Sequence, residues 1–137
     1  MPVLQDFVGH WQLSRRIENA MGPDGSLTGT AILQARSGGL AYHEQGALRL
    51  GAAAPLAASR RYLWQALPGA IAVQFEDGRA FHQFDPAALQ SDARHDCQPD
   101  LYLLCYDFSQ WPGWRCSVQV RGPRKSYQMV TDYQRDP

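Results

Sequence analysis

The densest run of chemically capable side chains spans Phe75 to Tyr106, FEDGRAFHQFDPAALQSDARHDCQPDLYLLCY. It holds two of the four histidines, His82 and His95, and two of the three cysteines, Cys97 and Cys105. His95 and Cys97 stand two residues apart and would share one face of a strand. With His82 from a neighbouring strand they form part of a ligand set, but zinc or iron usually wants a third or fourth ligand. The pattern does not place Asp96 or Asp100 for that role, and no CxxC spacing occurs. No metal is therefore predicted. No Ser-His-Asp or Cys-His framework is visible either, so nucleophilic catalysis has little support. Glu44, Tyr42 and an arginine in an enclosed site are a better-matched set: they would hold a carboxylate and move a proton.

The elements that position these groups are strands. GHWQLSRRIEN alternates Trp11, Leu13, Arg15 and Ile17 with Gln12, Ser14, Arg16 and Glu18, the pattern of a half-buried strand with Arg15 as a charge on its apolar face. LTGTAILQAR is a second strand. LAYHEQGALRL puts Tyr42, Glu44 and Leu48 on the inward face. After a small-residue loop, GAAAPLAAS, SRRYLWQAL sets Arg60, Tyr62 and Trp64 together, and AIAVQFE sets Ile71, Val73 and Phe75 together.

Asp77-Gly78 is a hairpin signal. A two-residue loop would put Phe75 on one face with His82. A three-residue loop with a bulge would put it with Arg79 and Phe81 instead. Both registers stay open. DPAALQSDA reads as a loop, followed by strands in ARHDC, LYLLCYDF, GWRCSVQVR and KSYQMVTDYQR. The last carries Lys125, Tyr127, Met129, Thr131, Tyr133 and Arg135 on one face. The fold class is all-β, a single up-and-down antiparallel barrel of about 8–10 strands occupying residues 1–137 as one domain. Closure would also remove exposed strand edges.

Composition narrows the function classes. Twelve Arg and one Lys balance thirteen acidic residues to zero net charge, which argues against nucleic acid. No apolar run reaches membrane-helix length, and the N-terminus lacks signal-peptide features. A cytoplasmic protein with reduced thiols is expected. The oligomeric state is not legible.

The inward face carries the functional expectation. Parity places Arg15, Glu44, Arg60, Lys125 and Arg135 inside, with Tyr42, Tyr62, Tyr127 and Tyr133, and adds His95 and one of His82 or Arg79. Four cations against one carboxylate leave the interior short of negative charge, and an unpaired buried charge costs several kcal/mol. A small anionic ligand, a carboxylate or phosphate with an apolar or aromatic body on Trp64, Phe75, Tyr102 and Tyr106, would supply it. The expected ligand-binding set is Arg15, Tyr42, Glu44, Arg60, Tyr62, Arg79, His82, His95, Tyr102, Lys125 and Tyr127. The alternative is a small lyase, decarboxylase or isomerase using the same residues. A barrel filled by its own side chains is the third reading, with Arg15 and Glu44 as a structural bridge.

FVGHWQLSR resembles the start of calycins, the lipocalins and fatty-acid-binding proteins, where Gly-x-Trp opens the first strand and a late arginine packs over the Trp. Those positions here are Gly9, Trp11 and Arg135. The wider set GHWQLSR, YHEQG, RRYLW, FEDGRAFH, HDCQPDLY, GPRKSY and YQR resembles a bacterial family of lipocalin-like domains with no established activity. The resemblance implies a barrel and no reaction. Residues 19–26 are too few for the helical lid of fatty-acid-binding proteins. The chain is more similar to lidless ten-stranded barrels such as the haem-binding nitrobindins, which implies haem on His82 or His95 as an alternative; no cofactor is otherwise predicted. Phenolic acid decarboxylases, calycin-like barrels working with Tyr, Arg and Glu, offer a fold-level analogy for the enzyme reading.

Overall fold

Alternating side chains turn this sequence into ten consecutive strands, each antiparallel to the next. The computed structural model describes residues 2–136. A 3₁₀ turn, Leu4–Phe7, precedes β1 (Gly9–Asn19), β2 (Gly25–Arg36), β3 (Gly39–Leu50), β4 (Leu56–Leu67) and β5 (Ala70–Phe75). Then come β6 (Ala80–Phe84), β7 (Gln90–Cys97), β8 (Asp100–Asp107), β9 (Trp114–Arg121) and β10 (Ser126–Arg135). The sheet order is β6-β5-β4-β3-β2-β1-β10-β9-β8-β7, a nearly closed barrel. Among the described residues no backbone ladder joins β6 to β7. That seam is bridged by the Asp85 amide donating to Ser91 Oγ at 2.8 Å and by the Phe81 and His95 rings, 5.1 Å apart. No helix among the described residues is long and apolar enough to cross a membrane.

In β1, Trp11, Leu13 and Arg15 are buried while Gln12, Ser14 and Arg16 are exposed, so the parity includes the charge. β4 begins earlier than the GAAAPLAAS loop suggested, because pairing with β3 continues through Ala47↔Ala57 to Leu48↔Leu56. β7 likewise starts at Gln90, opposite Asp107 of β8. Gly29 and Gly46 face each other where β2 and β3 approach, and a Cβ on Gly29 would collide with the Gln45 carbonyl.

One barrel end is filled by aromatic rings. Phe7, fully buried, sits with Trp111, Trp64, Trp114, Phe108 and Phe84 at centroid distances of 5.0, 5.2, 5.4, 5.8 and 6.3 Å. Trp11 Nε1 donates to the Phe7 carbonyl at 2.9 Å. The Arg135 guanidinium lies 4.0 Å from the Trp11 ring and donates to the carbonyls of Val8 and Asp6. The Gly9, Trp11 and Arg135 arrangement implied by the calycin resemblance is thus present, and it locks the 3₁₀ turn as a plug. Deleting a ring from this close-packed cluster leaves a void. Phe7→Ala is expected to lower the unfolding free energy by about 3–5 kcal/mol, read from urea denaturation.

Candidate functional site

Above the aromatic plug the barrel encloses a cavity of about 320 Å³. Its wall has two unlike arcs. From β1, β3, β4 and β10 come Arg15, Tyr42, Glu44, Arg60, Tyr62, Tyr127, Thr131 and Tyr133. From β5 to β8 come Val73, Phe75, Phe81, His82, His95, Tyr102 and Tyr106. Burial grades along the cavity. Trp64, His82, Tyr106 and Trp114 are buried; Tyr62, Phe75, Phe81, His95, Tyr102 and Tyr127 are half-buried; Arg60 and Cys97 are exposed. The mouth therefore lies at the end carrying the Asp77-Gly78 hairpin and the β7–β8 turn.

The polar arc is built around one ion pair. Arg15 grips Glu44 with both terminal nitrogens, Nη1 to Oε2 at 2.7 Å and Nη2 to Oε1 at 2.9 Å, and its Nε donates to Thr131 Oγ1 at 2.8 Å. Tyr42 donates to Glu44 Oε1 at 2.6 Å. The Tyr133 hydroxyl, 2.8 Å from that of Tyr42, donates to it in turn. Burial opposes both charges, but each partner overrides it for the other. Glu44 ends below the usual carboxylate range, aided by Tyr42 and the Arg60 charge, and Arg15 ends above its ordinary value. Burial pushes Tyr42 and Tyr133 up. None of these groups is poised to exchange a proton at neutral pH.

On the aromatic arc, His82 Nε2 lies 2.7 Å from the Tyr106 hydroxyl. Burial, with a smaller contribution from the His95 charge, lowers the His82 pKa to about 4. Burial also pushes the nearby Cys116 thiol up to about 12, so that thiol is inert as a nucleophile.

Comparison with known proteins places the chain. The family described as "Family of unknown function (DUF6314)" matches residues 7–135. The chain belongs to this family. No curated protein matches it. Among solved structures, the S-type phycobiliprotein lyase CPES from Guillardia theta is similar at a TM-score of 0.69 and 7% identity, over 98% of this chain and 90% of that one. A DUF3598-family protein of unknown function from Nostoc punctiforme is similar at a TM-score of 0.65 and 10% identity. That match covers 99% of this chain and 50% of the Nostoc protein, so this DUF6314 member spans about half its length. At these identities the likeness is one of fold, a lipocalin-like barrel.

Nine of the expected residues converge on the cavity: Arg15, Tyr42, Glu44, Arg60, Tyr62, His82, His95, Tyr102 and Tyr127. Arg79 does not. Its side chain is 75% exposed and pairs with Asp77 at 2.7 Å. The hairpin resolves the open register by a bulge one step further in: Val73 faces His82 and Gln74 faces Ala80. Both Phe81 and His82 then reach the cavity, and Arg79 is left outside. Lys125 is a second correction. It precedes β10, in the turn, and reaches Asp100 at 3.3 Å. With Arg135 capping Trp11, the expected excess of interior cations disappears: Arg15 is neutralised by Glu44, and Arg60 stands at the mouth. Phe81, Thr131 and Tyr133 line the cavity beyond the expected set. The alternation of β10 signals Thr131 and Tyr133; Phe81 is signalled only in the bulged register, as an alternative to His82 and not together with it.

The buried pair is more costly to break than to replace. Glu44→Leu alone is expected to cost about 3–5 kcal/mol in urea denaturation, and adding Arg15→Met should recover most of it. His82 gives a pH signature. Between its ordinary 6.5 and about 4, the unfolded chain binds a proton that the folded one does not. Stability therefore falls as pH drops through that window, by about 3 kcal/mol. Glu44 acts only below the ordinary carboxylate value, since its pKa is lowered. A His82→Phe variant should flatten the stability profile between pH 6.5 and 4.5 and leave the steeper acid limb in place, as followed by thermal melts across pH.

Proposed function

We propose that this barrel binds a small organic acid, with its acidic group at Arg60 and its apolar or aromatic body inside. Arg60 carries the reading. It lines the cavity, sits opposite Glu44 in the β3–β4 ladder, and has no side-chain partner among the described residues. Glu44 does not serve as that partner, because Arg15 and Tyr42 already hold its oxygens. A carboxylate or phosphate at the mouth would complete Arg60 with charge-assisted hydrogen bonds, and Tyr127 lies on the same rim. Phe75, Phe81 and Tyr102 line the cavity and offer apolar surface to a flat body.

Size limits the ligand. Drug-sized compounds occupy pockets of about 300–1,000 Å³, so a cavity of about 320 Å³ suits a compound of one or two rings. Binding is favoured over turnover because Glu44 is locked below, and the tyrosines above, the range where they would exchange protons. The fold likeness to a phycobiliprotein lyase supports small-molecule binding in general; a four-ring bilin exceeds this volume and serves as the size control in a screen.

Native mass spectrometry of the purified protein, with denaturing analysis of anything released, identifies a co-purifying acid. A thermal-shift screen of carboxylates and phosphates serves where nothing is released. Arg60→Gln should weaken the bound acid by about ten- to a hundredfold while the free protein stays folded, as its thermal melt checks. Released haem, or an Arg60→Gln variant of undiminished affinity, would overturn the reading.

A further inference from the structure

β4 outruns one of its neighbours. On one side it pairs with β3 from Leu48↔Leu56 to Gly39↔Gln65. On the other it pairs with β5 only from Tyr62↔Phe75 to Leu67↔Ala70, because the chain turns away at the Asp77-Gly78 hairpin. Residues 56–61 are therefore extended and held by β3 on one edge, with no backbone partner on the other among the described residues. Arg61 reaches Glu76 of the hairpin at 3.6 Å, a side-chain contact that bonds no main-chain group. In an antiparallel ladder alternate residues aim both N–H and C=O to the same side. This stretch thus presents a row of donors and acceptors beside the cavity mouth, a template for another strand. All of it is exposed except half-buried Ala58.

The inward parity of β4 continues along the free edge. Arg60 stands opposite Glu44, Ala58 opposite Gly46 and Leu56 opposite Leu48, and Gly46 in turn faces Gly29. The row next to Arg60 is nearly bare of side chains, and Leu56, 58% exposed, borders it as an apolar lip. Pro55 ends the row, since proline has no N–H to offer. The edge carries two cations, Arg60 and Arg61, and no acidic residue. A second copy of the same edge would bring two more cations and no anion, and like charges across a strand pair repel. A strand of negative charge complements it.

We propose that residues 56–61 take an extended acidic peptide segment as an added strand antiparallel to β4. An aspartate or glutamate side chain of the peptide meets Arg60, a large apolar side chain two residues later covers Ala58 and Gly46, and a second, two residues on, packs on Leu56. Strand addition draws affinity from main-chain bonds and selectivity from alternate side chains. This goes beyond the organic-acid reading and shares only Arg60 with it.

The probe is the blocked heptapeptide TDTFTVT, titrated calorimetrically. Changing its aspartate to asparagine should weaken binding about tenfold or more. Two further forms, N-methylated at one or the other set of alternate residues, each block one edge of the peptide; only one of them should lose binding. Hydrogen exchange should show alternate amides of residues 56–61 gaining protection when the peptide binds. Methylated forms that behave alike, no gain in protection, or no binding of the heptapeptide would overturn the added strand. So would a dimer of the free protein, seen by sedimentation equilibrium, in which those amides are already protected; the edge would then belong to a second copy. 3-Phenylpropanoate, titrated in parallel, keeps the two readings apart. Its binding without that of the peptide leaves the organic-acid reading standing, and the reverse result retires that reading and keeps the added strand.

Discussion

The bidentate pair between Arg15 and Glu44 sets the terms for everything inside this barrel. It joins β1 to β3 across the interior, and through Thr131 it reaches β10. Two charges removed from water cost several kcal/mol each unless their geometry is good and their remaining valences are filled. Here the carboxylate takes two guanidinium bonds and one phenol, and the phenol takes another. The interior is consequently polar without a net charge. The same saturation leaves Arg60, one strand over, with no anion of its own. The cation at the mouth is a by-product of how completely Glu44 has been claimed.

Much of this was legible in the sequence wherever a strand ran long enough for alternation to hold. Trp11, Leu13 and Arg15 share a face in β1, Tyr42 and Glu44 in β3, and Tyr62 and Trp64 in β4; strict period-two geometry then leaves them no other side. The errors fall where that geometry stops. Lys125 shares the parity of Tyr127 but lies one residue before β10 begins, so parity says nothing about it. Arg79 was decided by an extra residue in β6, a bulge that admits Phe81 and His82 together and that composition does not announce. Partner choice was the hardest to read. The Arg15 bond to Glu44 depends on how β1 and β3 are staggered around the barrel with β2 between them, a property of closure and not of any local window. Counting inward charges without their pairing therefore overstated the positive field.

The two arcs of the cavity also follow the chain. The polar side chains come from strands at the two ends of the sequence, and the aromatic ones mostly from β5 to β8 in its middle. The barrel likeness to a phycobiliprotein lyase at 7% identity concerns the scaffold. The lining, which is where recognition resides, is this chain's own.

The order of strands has a kinetic consequence. The seam between β6 and β7 lies mid-chain, and β1 and β10 meet in the middle of the sheet. Every other neighbouring pair is a local hairpin. The contact from Arg15 to Thr131 bridges 116 residues, so the entropy of closing a long loop is concentrated in the one ladder between β1 and β10. Topologies governed by such non-local pairing fold slowly, in about milliseconds to seconds. A chain shortened at either end would not shed a dispensable edge. It would lose the zipper that turns two half-sheets into one barrel.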